Sequence, residues 1–424
     1  MKIVELFAGI GSQKKALTKL NINHKVLNIA EWYIPAILAY DSIHYGMRNL
    51  DTIKHLPIDE IRLYLEKFTF SLNGKKPLGK DRISKMNHTL LRHLYIANKR
   101  TNNLVSIDKV NGHELPTDID VMTYSFPCQD LSNVGAFHGY KNGIDKGVKS
   151  RSGLLWEVER IMLERLDSKS SLPRILLMEN VSSLLAKRHK GNFDYWINSL
   201  NKMGYSINEY FIMNSKDFGI PQNRKRIFMV SVYTNGLSKK TIKEIKSILQ
   251  EDFKKEKLGE LEDYLKTNNR GKYKSEALLA QPNATPSRKT IYEGNYYLHG
   301  NKRSKSEICA TITTRQDRHP NSGVIEYKTD NNNYRFLTSR EVFLLMGFTE
   351  KDYESIELNN FKRNKSQLFF SRDKYYVLAG NSIVVNVLEK IFVRIEKIYN
   401  ILKGYDNYEE DWEYTRSSFI YGII

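Results

Sequence analysis

Ile3-Val4-Glu5-Leu6-Phe7-Ala8-Gly9-Ile10-Gly11-Ser12 is an apolar run that breaks at once into glycines. A buried strand, then a tight turn into a helix starting near Gln13, is a unit found in many α/β proteins. Glycines at such a turn let the backbone approach a ligand, and the helix start behind them offers unpaired N–H groups. A second strand, near Val26 to Ala30, ends in Glu31-Trp32. A carboxylate about twenty positions beyond the glycines is placed to bind ribose hydroxyls. Together the two features point to an adenosine-containing cofactor.

With 424 residues the chain can bury a large core, and two domains are expected. Lys and Arg number 66 against 48 Asp and Glu, a net charge of +18 that favours a polyanionic partner, most simply nucleic acid. Cys128 and Cys309 are the only cysteines, which excludes a disulfide framework. Cys/His spacing for a metal is absent, so no metal is expected. No apolar run approaches a membrane span, and Met1-Lys2-Ile3 enters a strand without a secretory signal; a reducing cytoplasm is the expected location.

A third strand, Ile119 to Tyr124, runs into Ser125-Phe126-Pro127-Cys128-Gln129-Asp130-Leu131-Ser132. It delivers a thiol to a sheet edge, and the glycines that follow (135, 139, 143 and 147) read as a mobile cover over residues 130–150. An amphipathic helix opens at Arg151-Ser152-Gly153-Leu154. The strand Ile175 to Met178 then ends in Glu179-Asn180-Val181, which puts a candidate acid beside the thiol strand. Gln222-Asn223-Arg224-Lys225-Arg226 leads into a strand over 227–232, and alternation places Arg224 and Arg226 on one face. Residues 45–115 read as a largely helical insert rich in cations, among them Arg48, Arg62, Lys75, Lys76, Lys80, Arg82, Lys85, Arg92 and Arg100. Both a solvated face and contact with a DNA backbone fit that insert. A charged amphipathic helix is expected over Thr241 to Lys266, followed by a basic, aromatic segment to about Tyr334.

In this order the blocks resemble the cytosine-5 DNA methyltransferase family. The carriers are Phe7-Ala8-Gly9-Ile10-Gly11, Pro127-Cys128-Gln129, Glu179-Asn180-Val181, Gln222-x-Arg224-x-Arg226 and Gly380-Asn381-Ser382. The long insert and the Glu31-Trp32-Tyr33 context look like the bacterial subgroup that includes CpG-specific enzymes. The resemblance implies a doubly wound, Rossmann-like, S-adenosylmethionine-dependent methyltransferase domain with a smaller target-recognition domain. The catalytic part would span 1–233, the recognition part 234–335, and 336–424 would return to the catalytic part.

By the same resemblance Cys128 is the nucleophile that adds to cytosine C6, Glu179 bonds N3 and the exocyclic amine, Arg226 stabilises O2, and Arg224 holds Glu179. S-adenosylmethionine would be held by Phe7, Ala8, Gly9, Gly11, Glu31, Trp32, Ile107, Asp108, Pro127, Leu154, Asn381 and Ser382. Phe7 and Trp32 would flank the adenine while Glu31 takes the ribose. The family's Asp-Ile pair is replaced by Ser106-Ile107-Asp108, which leaves open whether Ser106 or Asp108 meets the adenine. DNA contacts fall on Gln129, Ser132, Thr311, Ile312, Arg315, Gln316 and Arg318. The expected partner is double-stranded DNA bound by a monomer, with a companion restriction endonuclease where the chain serves a restriction-modification system. Two other readings stay open: a tRNA cytosine-5 methyltransferase, and a non-catalytic DNA-binding regulator on the same fold.

Overall fold

The structure, a computed structural model, describes residues 1–79, 81–127, 131, 144, 152–268, 270–283, 285–300, 305–318, 321–330, 332–364 and 366–404. Cys128, Gln129, Ser132, Lys80, most of the expected cover at 130–150 and the tail beyond residue 404 lie outside the described residues.

The central sheet has six strands in the order β2–β1–β3–β4–β7–β5. They are β1 (Lys2–Leu6), β2 (Lys25–Ala30), β3 (Val121–Tyr124), β4 (Ile175–Val181), β5 (Ile207–Asn214) and β7 (Lys225–Val232). β1 pairs in parallel with β2 and β3, β3 pairs in parallel with β4, and β7 runs antiparallel between β4 and β5. Ile3, Val4 and Leu6 are fully buried, as expected of a strand covered on both faces. From β1 the chain moves outward to β2 and later returns to β3 on the other side. That reversal opens a crevice beyond the C-terminal ends of the strands, where ligands bind in such sheets.

Helices cover both faces. α1 (Ser12–Lys19) lies against the long C-terminal helix α14 (Val385–Lys403), and α2 (Ile34–Tyr45) packs on α4 (His88–Arg100). The helix α3 (Ile58–Leu65) also packs on α4, so the insert is helical as expected. It is no detached arm: Ile61, Leu65, Phe70, Leu91 and Leu94 join the same hydrophobic core as Ile34 and Ile37 of α2. Several of its cations are spent inside the fold. Arg48 is fully buried and donates to Asp41, Ser42 and the Leu38 carbonyl, while Arg100 pairs with the same Asp41. Arg92 donates to the carbonyls of Ile53 and Leu56, and Arg62 to Asp59. Lys75, Lys76, Arg82 and Lys85 stay exposed. Two further helices, α5 (Leu155–Asp167) and α6 (Lys187–Lys202), carry the chain from β3 to β4 and from β4 to β5.

Beyond β7, the helix expected over 241–266 divides into α7 (Lys239–Gln250) and a single turn, α8 (Leu261–Tyr264). Ile245 and Leu249 of α7 are buried, and the helix packs against β5 and α14. Two short helices, α9 (Gly271–Leu279) and α10 (Pro286–Glu293), precede a three-stranded sheet of β8 (Tyr297–His299), β10 (Val324–Glu326) and β11 (Tyr334–Phe336). A two-stranded ladder joins β6 (Gln222–Asn223) to β9 (Cys309–Ala310). The chain closes with α11 (Ser339–Leu344), α12 (Glu350–Leu358), α13 (Arg372–Gly380) and α14. One stretch, Arg372–Lys403, is long and apolar enough to cross a membrane by length and composition, which corrects the expectation that no run approaches a span. Most of its apolar window is buried inside the fold, as in a core helix.

Candidate active site

β1 ends at Leu6, and the next residues turn sharply: Phe7, Gly9 and Gly11 all have φ between 56° and 78°. For Phe7 that left-handed backbone is strained, and such strain clusters at ligand sites. The two glycines serve different ends. A Cβ on Gly11 would lie 2.2 Å from His44 Nε2, so packing alone requires that glycine. A Cβ on Gly9 would meet nothing within 4 Å, so its bare backbone borders open space that a ligand can enter.

Glu31, just beyond β2, faces this turn. One carboxylate oxygen accepts the Gly9 N–H at 2.9 Å and the other accepts the Tyr33 N–H at 2.7 Å. Each keeps a lone pair for a hydroxyl, and burial pushes the carboxyl up to about 7. Phe7 and Trp32 are half-buried, leaving ring surface free for stacking. Ser106 donates to Asp108 Oδ1, so the two candidates for the adenine contact are bonded to each other; Ser106 and Ile107 are buried and Asp108 is exposed. Ser382 is buried and shares a 2.6 Å hydrogen bond with Ser12, the first residue of α1, while Asn381 is exposed beside it. Leu154 and Pro127 are half-buried. An open glycine, two accessible rings and a carboxylate with spare lone pairs fit an adenosine-bearing cofactor.

The groups suited to chemistry gather at the ends of β3, β4 and β7. Asn180 donates to the Phe126 carbonyl at 3.1 Å, and Ser183 donates to the Leu131 carbonyl at 2.7 Å. The chain is thus tied to the end of β4 on both sides of residues 128–130. Glu179 precedes Asn180, and its carboxylate lies 3.4 Å from Arg226 Nε; the two side chains are 12% and 16% exposed. Burial raises the Glu179 carboxyl, against the pull of Arg226 and Arg224. Glu179 therefore holds a proton more readily than a surface glutamate, as an acid toward a ring nitrogen should.

Arg224, expected beside Glu179, also braces the backbone. It is buried and donates to the carbonyls of Ile312 (2.8 Å), Gly380 (3.0 Å) and Ser382 (2.8 Å). It influences Glu179 through its charge, while its hydrogen bonds brace three backbone segments. Gln222 completes the brace by accepting the Ile312 N–H at 3.0 Å and donating to the Leu345 carbonyl. Gly380 makes room for this arrangement, since a Cβ there would lie 2.5 Å from the Thr313–Thr314 backbone.

The recognition residues divide in the same way. Ile312 is fully buried with both its backbone N–H and its carbonyl clamped, so its side chain reads no base. Thr311 donates to the Asn223 carbonyl. Gln316 is fully buried, donating to Thr313 O and accepting from Ser322 N, which removes it from the surface. Asp317 stands between Arg288 and Arg318; burial raises its carboxyl, but these two partners outweigh that and hold it below its usual range. Arg315 and Arg318 are exposed. Among the described residues no cluster of His, Cys, Asp and Glu suits a metal ion.

The α/β sheet and its glycine turn define a protein of the class that fits an adenosine-bearing cofactor, and comparison with known proteins shows which. Residues 58–397 match the C-5 cytosine-specific DNA methylase family. The chain is 33% identical over 405 residues to the orphan methyltransferase M.SssI of Spiroplasma monobiae, covering 93% of this chain and 97% of that protein. It is 34% identical to the Type II methyltransferase M2.ScrFI of Lactococcus lactis subsp. cremoris, covering 94% and 99%. The solved structure of S. pombe Dnmt2 methyltransferase shares the fold, with a TM-score of 0.54 at 16% identity over 96% of this chain and 99% of that one. The chain belongs to the C-5 cytosine-specific DNA methylase family: it is an S-adenosylmethionine-dependent enzyme that methylates cytosine in DNA.

Proposed function

We propose that the chain methylates C5 of a cytosine flipped out of a short double-stranded DNA sequence, through a covalent bond between Cys128 and C6. The supporting observation is the convergence of Glu179 and Arg226 where Asn180 ties down the Phe126 carbonyl, two residues before the cysteine. C5 of cytosine is a poor nucleophile, and its reaction needs an electron pair pushed in from C6. The Cys128 thiolate forms an S–C6 bond, and the C5=C6 pair shifts toward C5 and the N3–O2 side of the ring. Glu179 gives N3 a proton and Arg226 donates to O2, stabilising charge that exists only during reaction. When bound, S-adenosylmethionine would supply an electrophilic methyl group to the C5 electron pair, its sulfonium S–CH3 bond breaking to leave a neutral thioether. A base then removes the C5 proton; the electrons of that C–H bond restore the double bond as the S–C6 bond breaks and the thiolate returns, and N3 gives its proton back to Glu179. The target atoms are unreachable inside a stacked duplex, hence base flipping.

On this reading Gln129, Ser132, Arg315 and Arg318 contact DNA, and the buried Ile312 and Gln316 hold the segment that carries the two arginines. α7 packs against β5 and α14, so we place the start of the recognition unit beyond this helix, after about residue 250. The enzyme acts on DNA as a monomer. One similar protein is named an orphan and another a Type II methyltransferase, so a companion endonuclease fits the second relationship and not the first. Bisulfite sequencing of duplex DNA treated with enzyme and S-adenosylmethionine, with tRNA treated in parallel, tests the whole. Protection confined to cytosines in one short DNA motif is the expected result; protection of the tRNA alone, or of neither, rejects it.

A further inference from the structure

The insert reaches the cofactor segment itself. β2 is an edge strand of the main sheet, and two buried residues of the insert extend that edge. Asn103 forms a parallel bridge with Ile29, and Ser71 forms one with Tyr33. Asn103 Oδ1 accepts the Glu31 N–H at 3.0 Å, and its Nδ2 donates to the Glu31 carbonyl at 2.9 Å, so one side chain grips both ends of that residue. The same Oδ1 accepts the Val105 N–H, which locks the amide orientation. Two residues on, Ser71 N donates to the Trp32 carbonyl at 2.8 Å and Ser71 O accepts the Ile34 N–H at 2.9 Å. The Ser71 hydroxyl accepts from Gly74 N and donates to the Lys76 carbonyl, holding its own loop against the Tyr33 ring.

Glu31 and Trp32 are thus gripped from outside the sheet at their backbone, and the Glu31 side chain faces the cofactor turn. We propose that Asn103 and Ser71 are positioning residues for S-adenosylmethionine, and that through them the insert forms the outer support of the cofactor site. This rests on the assignment of Glu31 and Trp32 as cofactor contacts. Asn103 is buried with its amide bonded to the Glu31 N–H and carbonyl, and removing those bonds frees the Glu31 backbone to rotate.

The test uses the full chain with Asn103→Ala, which removes both bonds to Glu31, and Ser71→Pro, which removes the N–H donated to Trp32. KM for S-adenosylmethionine is expected to rise roughly tenfold, the equivalent of about one buried hydrogen bond, while kcat and the Kd for DNA stay within about twofold. Should either variant fail to fold, Asn103→Asp keeps the acceptor but turns a carboxylate oxygen toward the Glu31 carbonyl, and the same KM shift is expected. Trp32→Ala serves as the reference. If Trp32→Ala weakens cofactor binding and the insert variants leave KM unchanged, the proposal falls and the cofactor assignment stands. If none of them alters KM, both fall. A drop in stability, kcat and DNA affinity with unchanged KM also overturns it, because that is the mark of a merely structural role.

Discussion

Glu179 and Arg226 come from neighbouring antiparallel strands, and in that register Arg226 sits opposite Val181, two residues beyond Glu179. The offset keeps both side chains on one face and within 3.4 Å of each other. Glu179→Gln and Arg226→Ala should each slow single-turnover methyl transfer by about two to four orders of magnitude with little change in stability. Arg224→Ala should do the reverse. Stranding the carbonyls of Ile312, Gly380 and Ser382 should cost about 3 kcal/mol or more of stability, seen as a lower urea midpoint. Alternation puts both arginines on one face, yet no periodicity can say whether a guanidinium meets a carboxylate or a carbonyl. Gln316 and Ile312 escape a sequence reading for the same reason: a polar or β-branched residue next to a recognition motif gives no sign of being fully buried. Glu5 carries no motif to single it out. It is fully buried under the cofactor turn, bonded to Tyr40 and the Lys14 N–H, and burial lifts its carboxyl from 4.5 to about 7. The folded chain therefore keeps a proton that the unfolded chain releases, so this residue's contribution is greatest below about pH 4.5 and is lost as pH rises through 7. Relative to the native chain, Glu5→Gln should gain about 2–3 kcal/mol between pH 5 and pH 8, read from urea midpoints at the two pH values. A constant difference would mean that Glu5 ionises normally.

The strands and most helices follow from hydrophobic patterning, because β1, β3 and β4 are near-continuous apolar runs that only a covered sheet can hold. The antiparallel place of β7 between β4 and β5 is not legible in the sequence, since strand direction depends on partners distant in the chain. Nor is the break between α7 and α8, because charged residues continue the helical spacing through a stretch that leaves the helix. The insert shows the limit most clearly. Its cations look alike in sequence, but Arg48 and Arg100 close a buried network on Asp41 while Lys75, Lys76, Arg82 and Lys85 face solvent. Replacing the four exposed residues with alanine should weaken binding to every DNA sequence. The slope of log Kd against log salt should flatten by about 0.9 for each phosphate no longer neutralised. An unchanged slope would leave them as a solvated face.

At the scale of the molecule, the brace formed by Gln222 and Arg224 joins the recognition segment to the Gly380–Ser382 block, and Ser382 joins that block to Ser12 beside the cofactor turn. On the proposed mechanism the chemistry needs only a cytosine, which makes the exposed Arg315 and Arg318 our candidates for discrimination. Replacing either with alanine should reduce the preference for the cognate site over single-base variants by about 1–3 kcal/mol, with a smaller loss on a mismatched, pre-flipped cytosine. A uniform loss across all variants would assign them to phosphates instead. The central claim, a covalent bond from Cys128, is tested most directly with duplex DNA carrying 5-fluorocytosine at the target. Fluorine at C5 blocks the final elimination, so native enzyme with S-adenosylmethionine should form a denaturation-resistant adduct that maps to Cys128. Cys128→Ser should form none while still binding the cofactor; an adduct of equal yield from that variant, or one mapping elsewhere, would contradict the assignment.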